Sequence, residues 1–267
     1  MKPAEPLVQW LADAEAPVSL VCFHCAGGSA QSFFAWKQAA AGVCELYAVE
    51  LPGRSRRLRE PFARSVTEVA AAFAEQCQAL PDKPLVLFGH SLGALLAYET
   101  ARVLLAQGVR KPVHLLVSSR QSPDWLPVCA GLPALNDQAL RDYLANLAGT
   151  PREVLANQAM MDLAVPILQA DLELILGYRH THVRGLDITV DAFGGMGDEQ
   201  VRFESLACWQ RVTEGGFSLR MIEGGHFAVM QQPQVVMARV RVIGDGLAAT
   251  EGQHRRPRPL LCGVTSR

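Results

Sequence analysis

The segment Gly89-His90-Ser91-Leu92-Gly93 constrains this chain most. It stands between a short apolar run, Leu85-Val86-Leu87-Phe88, and a long run of helix formers from Ser91 to Gln107. Four consecutive apolar residues have the length of a buried strand, and the following run reads as a helix. Gly-x-Ser-x-Gly at a strand-to-helix junction is a nucleophile elbow: the serine takes a strained backbone conformation, and the flanking glycines remove Cβ atoms that would clash in so tight a turn. Such a turn lifts the Ser91 hydroxyl above the sheet. It also aims the first N–H groups of the helix, beginning with Leu92, at any oxyanion formed there.

The rest of the chain supplies the sheet that an elbow needs. Val18 to Phe23 reads as a strand that ends in the glycine-rich loop His24-Cys25-Ala26-Gly27-Gly28-Ser29. Glycines there let backbone N–H groups approach a reacting carbonyl, so the loop suits an oxyanion loop. It has neither Gly-Lys-Ser/Thr nor G-x-G-x-x-G spacing, which argues against nucleotide binding. Ser32 to Ala41 reads as helix and Glu45 to Glu50 as strand. The loop Leu51 to Pro61 carries Arg54, Arg56, Arg57 and Arg59. A helix over Val66 to Leu80 precedes the elbow strand, and after the elbow helix, closed by Gly108, comes a strand over Val113 to Ser119. This alternation of β and α predicts an α/β fold with a mostly parallel central sheet and helices on both faces.

From Arg120 to Gly185 the alternation stops. Helical stretches at Asp137 to Leu147, Arg152 to Asn157 and Met160 to Gly177 predict a helical lid over the carboxyl ends of the strands, where open α/β sheets bind ligands. Strands resume at Leu186 to Phe193 and Phe217 to Ile222, with helices at Val201 to Val212 and Pro233 to Val242. The expected organisation is an N-terminal extension (1–17), a core (18–119 and 186–244), a lid (120–185) and a disordered tail (245–267).

A net charge of −1 and a pI near 6.7 argue against a general attraction to nucleic acid or anionic membrane. No leader pattern opens the chain and no apolar run reaches the roughly 18 residues needed to span a bilayer, so a soluble cytoplasmic protein is expected. Seven cysteines, at 22, 25, 44, 77, 129, 208 and 262, read as reduced thiols. Cys22 and Cys25 form a C-x-x-C with no second pair to complete a zinc site, and Cys22 lies in a strand.

A serine hydroxyl becomes an effective nucleophile when an imidazole takes its proton and a carboxylate holds that imidazole. In a sheet of this kind the order is serine, acid, histidine, each after a strand. His226, in Glu223-Gly224-Gly225-His226-Phe227, is the histidine that fits; His90 is expected to point away from the site and His24 to line the pocket. Asp198 follows the strand ending at Phe193 and is the favoured acid, with Glu199 as fallback; Asp187 and Asp191 lie at the start of that strand or within it. The implied reaction is acyl transfer to water, with the N–H groups of Leu92 and Ala26 holding the oxyanion at about 3 kcal/mol per donor. It calls for no metal or organic cofactor.

Phe23 through Ser29, Leu51-Pro52-Gly53-Arg54, Gly89 through Ala94, Ile167-Leu168-Gln169-Ala170-Asp171, Gly194-Gly195 with Asp198, and Gly225-His226-Phe227 together resemble the stand-alone type II thioesterases of nonribosomal peptide and polyketide synthesis. The similarity runs from about Val18 to Val242. It implies the α/β-hydrolase fold and an editing role in antibiotic or siderophore biosynthesis: hydrolysis of misprimed or stalled acyl groups from the phosphopantetheine arm of carrier domains, which are then the partners. Some such enzymes also hydrolyse acyl-CoA. Carrier domains tend to be acidic, which makes Arg54, Arg56, Arg57 and Arg59 candidate contacts. The chain departs from the pattern at His24 and Cys25, where the family usually has proline and a variable residue, and at Gln169, where it often has arginine. A general carboxylesterase or an acyltransferase would use the same triad, and a catalytically silent scaffold the same fold.

Overall fold

The computed structural model describes residues 5–125, 132–146, 150 and 152–254. The strands are β1 (Leu7–Leu11), β2 (Ser19–Phe23), β3 (Glu45–Val49), β4 (Leu85–His90), β5 (His114–Ser118), β6 (Thr189–Gly195) and β7 (Phe217–Ile222). The helices are α1 (Lys37–Ala40), α2 (Val66–Gln78), α3 (Leu92–Gln107), α4 (Asp137–Asn146), α5 (Arg152–Leu155), α6 (Gln158–Gly177), α7 (Phe203–Ala207), α8 (Ala228–Gln231) and α9 (Pro233–His254). Short 3-10 turns at Ala30–Trp36, Ser55–Arg57 and Cys208–Val212 complete the order.

The strands form one sheet in the order β1-β3-β2-β4-β5-β6-β7, parallel except for β1, which runs antiparallel to β3. Side chains alternate across a strand, and here they feed two cores. Leu85 and Leu87 of β4, with Val21 and Phe23 of β2, face the core shared with α2, α3 and α6. Val86 and Phe88, with Leu20 and Cys22, face the core shared with α9. Both faces are therefore covered, as a parallel sheet requires, and β4 lies at the centre with His90 at its carboxyl end. Between β5 and β6 the described residues contain α4, α5 and α6 and no named strand. Among the described residues no helix is long and apolar enough to cross a membrane.

Two boundaries differ from the sequence reading. The expected extension at 1–17 contains β1, an edge strand pairing Val8 with Ala48 and anchored by the Trp10 indole N–H on the Ala30 carbonyl at 2.9 Å. Five residues are too few to display a period, so the strand was legible only through its partner. The expected tail from 245 begins as helix: α9 continues to His254, and only 255–267 lie outside the described residues. Val236, Val240, Ile243 and Leu247 carry one apolar stripe on to the second core. Gly244 allows α9 to pass Pro17, since a Cβ there would come within 2.8 Å of the proline ring; it is a point of close approach and not a stop. A smaller shift affects β6, which starts at Thr189; Leu186 instead makes an isolated bridge to Thr213.

Candidate active site

Ser91 stands between the last residue of β4 and the first of α3 with φ 56° and ψ −118°, a conformation that costs a non-glycine residue on the order of 1–3 kcal/mol. The strain is imposed from both sides. Its N–H donates to the Ser118 carbonyl at the end of β5 (2.9 Å), and its carbonyl accepts from Ala94 N–H in the first turn of α3 (3.0 Å). The glycines are steric requirements: a Cβ at Gly89 would lie 2.2 Å from the Gly93 carbonyl oxygen, and one at Gly93 would lie 2.1 Å from that of Phe23. Residues with side chains at 89 or 93 would drive α3 off the sheet.

His226 and Asp198 come together across the carboxyl ends of β6 and β7. His226 Nδ1–H donates to Asp198 Oδ2 at 2.9 Å, which leaves Nε2 of the neutral ring as the proton acceptor. The other carboxylate oxygen, Oδ1, accepts from Gln200 N–H (2.9 Å) and Val201 N–H (3.2 Å). Burial pushes the Asp198 carboxyl up, but the His226 hydrogen bond and charge and the two backbone donors outweigh it and hold the group below its ordinary value. Gly195 makes the approach possible, because a Cβ there would meet the Gly225 carbonyl oxygen at 2.2 Å. Glu199 is exposed and Asp187 pairs with Lys111 at the surface, while Asp191 is buried against Arg239.

Ser91 and His226 line one cavity with Ala26, Ser119, Gln200, Tyr143 from α4, and Leu172 and Ile175 from α6. Its volume is about 20 Å³, room for about one water. Two larger hollows flank it. One, of about 280 Å³, is lined by Cys25 to Gly28, Leu144, Phe227 and Gln231; the other, of about 370 Å³, by Tyr143, Asn146, Asp198, Gln200 and His226. The helical insertion thus forms a wall of the serine's cavity. Leu92 N–H lies in the first turn of α3 and has no intrahelical acceptor, and Ala26 borders the same cavity from the β2 loop.

Several expected placements change. His90 does not turn away from the site: it is buried with its ring 5.2 Å from that of His226, and Nδ1 meets the Ser118 hydroxyl at 2.8 Å. Burial first, and then the neighbouring His226, hold it well below the ordinary imidazole range, so it is a neutral floor under His226. His24 faces its own loop, with Nδ1–H on the Cys25 carbonyl at 2.8 Å, and burial brings it down to about 4. Arg54 is unavailable to a partner. Its side chain is 4% exposed and forms a fork on Asp171, with both bonds at 2.7 Å, because β3 delivers it beneath the glycine-rich loop. Arg57 is bound to Glu60 and to the Glu50 carbonyl, whereas Arg56 and Arg59 are exposed. Ser119 and Asp171 had no assigned role from sequence. Ser119, at φ 48°, donates its hydroxyl to the His226 carbonyl at 2.8 Å and so braces the histidine loop from β5.

Residues 18–242 match the Thioesterase domain family. The chain is 32% identical over 223 residues to the gramicidin S biosynthesis protein GrsT of Aneurinibacillus migulanus, covering 82% of this chain and 87% of that protein. It is 34% identical over 236 residues to thioesterase PikA5 of Streptomyces venezuelae, covering 88% and 83% respectively. Among solved structures it is similar to the type II thioesterase BorB from the borrelidin biosynthetic cluster, with a TM-score of 0.79 and 30% identity over 88% of this chain and 95% of that one.

Proposed function

The chain belongs to the thioesterase family, and from that premise we propose that it hydrolyses acyl groups from the phosphopantetheine arm of carrier proteins in nonribosomal peptide or polyketide synthesis. The observation that carries the mechanism is the 2.9 Å Asp198–His226 bond, with His226 lining one cavity together with a strained Ser91. The substrate class is supported by the similarity to thioesterase PikA5, to GrsT, a gramicidin S biosynthesis protein, and to BorB, a type II thioesterase from the borrelidin biosynthetic cluster.

In the proposed sequence His226 Nε2 takes the Ser91 hydroxyl proton as Oγ attacks the thioester carbonyl carbon. Leu92 and Ala26 N–H groups hold the oxyanion. The C–S bond breaks, and the pantetheine sulfur leaves as a thiol with the proton from His226. Water then attacks the acyl-enzyme, giving up a proton to His226 that returns to Ser91 as the acid departs. Asp198 keeps Nδ1 protonated and stabilises the imidazolium. Protein groups carry every step without a metal or organic cofactor.

The helical insertion acts as a lid in this reading. A cavity with room for one water has to widen at Tyr143, Leu172 or Ile175 before an acyl chain can enter. The carrier approaches the exposed Arg56 and Arg59 rather than Arg54. The test is release of a short acyl group from a phosphopantetheinyl carrier by wild type and Ser91→Ala, alongside the matching acyl-CoA and p-nitrophenyl ester. Ser91-dependent release favouring the carrier substrate is expected. Preference for the free ester would make the enzyme a general esterase, transfer to an added alcohol or amine would make it an acyltransferase, and activity in Ser91→Ala would overturn the mechanism.

A further inference from the structure

The loop that carries Ala26 is held by residues from two distant segments. Gly27 N–H donates to Asp171 Oδ2 at 2.8 Å, and Arg54 Nη1 donates both to that same oxygen at 2.7 Å and to the Gly28 carbonyl at 3.0 Å. A second bond from Arg54 to Asp171, also 2.7 Å, locks the fork. Asp171 belongs to α6, as does Leu168 one turn earlier, whose side chain lies over Gly27. Arg54 follows β3. Both charged side chains are almost fully buried.

Peptide planarity carries this grip to the reacting centre. Ala26 sits between two peptide planes. The Ala26–Gly27 plane is fixed at its N–H by Asp171. The Cys25–Ala26 plane, which contains Ala26 N–H, is fixed at its carbonyl by His24 Nδ1–H at 2.8 Å and Gly28 N–H at 3.1 Å. Gly28 in turn hangs from Arg54. Gly27 at φ 73° supplies the left-handed bend that closes this short circuit.

We infer that Asp171, held by Arg54, is a positioning residue for the oxyanion loop, so that helix α6 of the insertion completes the hole as well as covering it. The inference rests on the reading of Ala26 as an oxyanion donor. When α6 is docked the Ala26 N–H points where charge develops; when α6 lifts, Gly27 N–H and the Arg54 fork both lose their partner and the loop is free to turn. Acyl transfer is thereby tied to a docked α6, and substrate entry falls to the α4 side of the cavity, where Tyr143 stands.

The experiment compares Asp171→Asn, Asp171→Ala and Arg54→Lys with Val165→Ala, a buried α6 change outside the polar circuit. Folded enzyme is counted by fluorophosphonate titration, so that rates are per active site. The readouts are kcat and KM on a short-acyl thioester and the Ki of a matching trifluoromethyl ketone, whose adduct with Ser91 places an oxyanion in the hole. Loss of a whole donor costs about 100- to 1000-fold in kcat, so a misaligned one should cost about 10- to 100-fold. That factor should appear in kcat and in ketone affinity while KM stays within about twofold, and Val165→Ala should lower the melting temperature without either change. Variants that melt earlier but keep wild-type kcat and ketone affinity per site would overturn the inference. Ser91→Ala and Asp198→Asn run in parallel test the underlying triad: their survival would sink that reading, whereas inactive triad variants beside unaffected Asp171 variants would remove only the inference.

Discussion

Two ion pairs of nearly equal length differ in what surrounds them. Arg54 and Asp171 meet at 2.7 Å with side chains 4% and 1% exposed, whereas Lys111 and Asp187 meet at 2.6 Å with side chains 55% and 78% exposed. Coulomb energy at equal distance scales with the inverse of the local dielectric, so distance alone does not rank them. Arg54→Ala leaves the Asp171 carboxylate buried with Gly27 N–H as its remaining donor among the described residues, and removing one member of a buried pair costs about 3–5 kcal/mol. Lys111→Ala frees a carboxylate already in water and should cost about 0–1 kcal/mol. At roughly 2–4 °C per kcal/mol for a domain of this size, Arg54→Ala should melt about ten degrees early and Lys111→Ala within about four. Urea titration of both, with a common slope, supplies the free energies. The double change Arg54→Met with Asp171→Leu sharpens the case, because it removes both charges at similar volume. It should recover much of the single-variant loss, less about 1–3 kcal/mol for the abandoned Gly27 N–H, and still be a poor catalyst. Equal costs for Arg54→Ala and Lys111→Ala, or a double variant as unstable as the sum of its singles, would refute the argument.

Gly93→Ala should abolish fluorophosphonate labelling of Ser91 even in folded protein, because the new Cβ would lie 2.1 Å from the Phe23 carbonyl oxygen and 2.7 Å from that of His24; labelling at the wild-type rate would contradict the steric account. Acid should weaken the fold between pH 6.5 and about 4: burial lowers His24 to about 4, so the unfolded chain binds a proton there that the folded one refuses, and stability present above pH 6.5 is lost as pH falls. The loss from His24 is on the order of 3 kcal/mol, so urea unfolding at pH 7 and 4.5 should show a smaller drop for His24→Gln; identical drops would exclude it as the cause. Ile175→Ala enlarges the cavity beside Ser91 and should raise the kcat/KM ratio of hexanoyl to acetyl carrier several-fold, at a stability cost of about 2–5 kcal/mol; an unchanged ratio would show that Ile175 does not limit chain length.

The parts of this molecule legible in the sequence are those whose physics is local. The elbow announces itself because steric demands at Gly89 and Gly93 fall within two residues of Ser91. Asp198 and His226 lie 28 residues apart, but each follows a strand end in a glycine-rich turn, and Gly195 is required by the close approach of the two turns. Arg54 illustrates the opposite case. Four arginines in eleven loop residues have the look of a solvated basic surface, and although Arg54 closes one of the blocks that carry the family resemblance, nothing within that loop shows that its partner lies 117 residues downstream. Asp171, for its part, sits in a helix whose apolar pattern reads as packing. The same blindness covers β1, whose five residues acquire meaning only beside β3, and the run of α9 past Val242, where Gly244 has its reason only once Pro17 is placed against it. What local pattern conveys is the strained serine, the Asp198–His226 pair and the sheet that presents them. What it conceals is the buried polar fork joining the β3 loop, the glycine-rich loop and α6, a tie between the insertion and the loop beside Ser91 that no single segment displays.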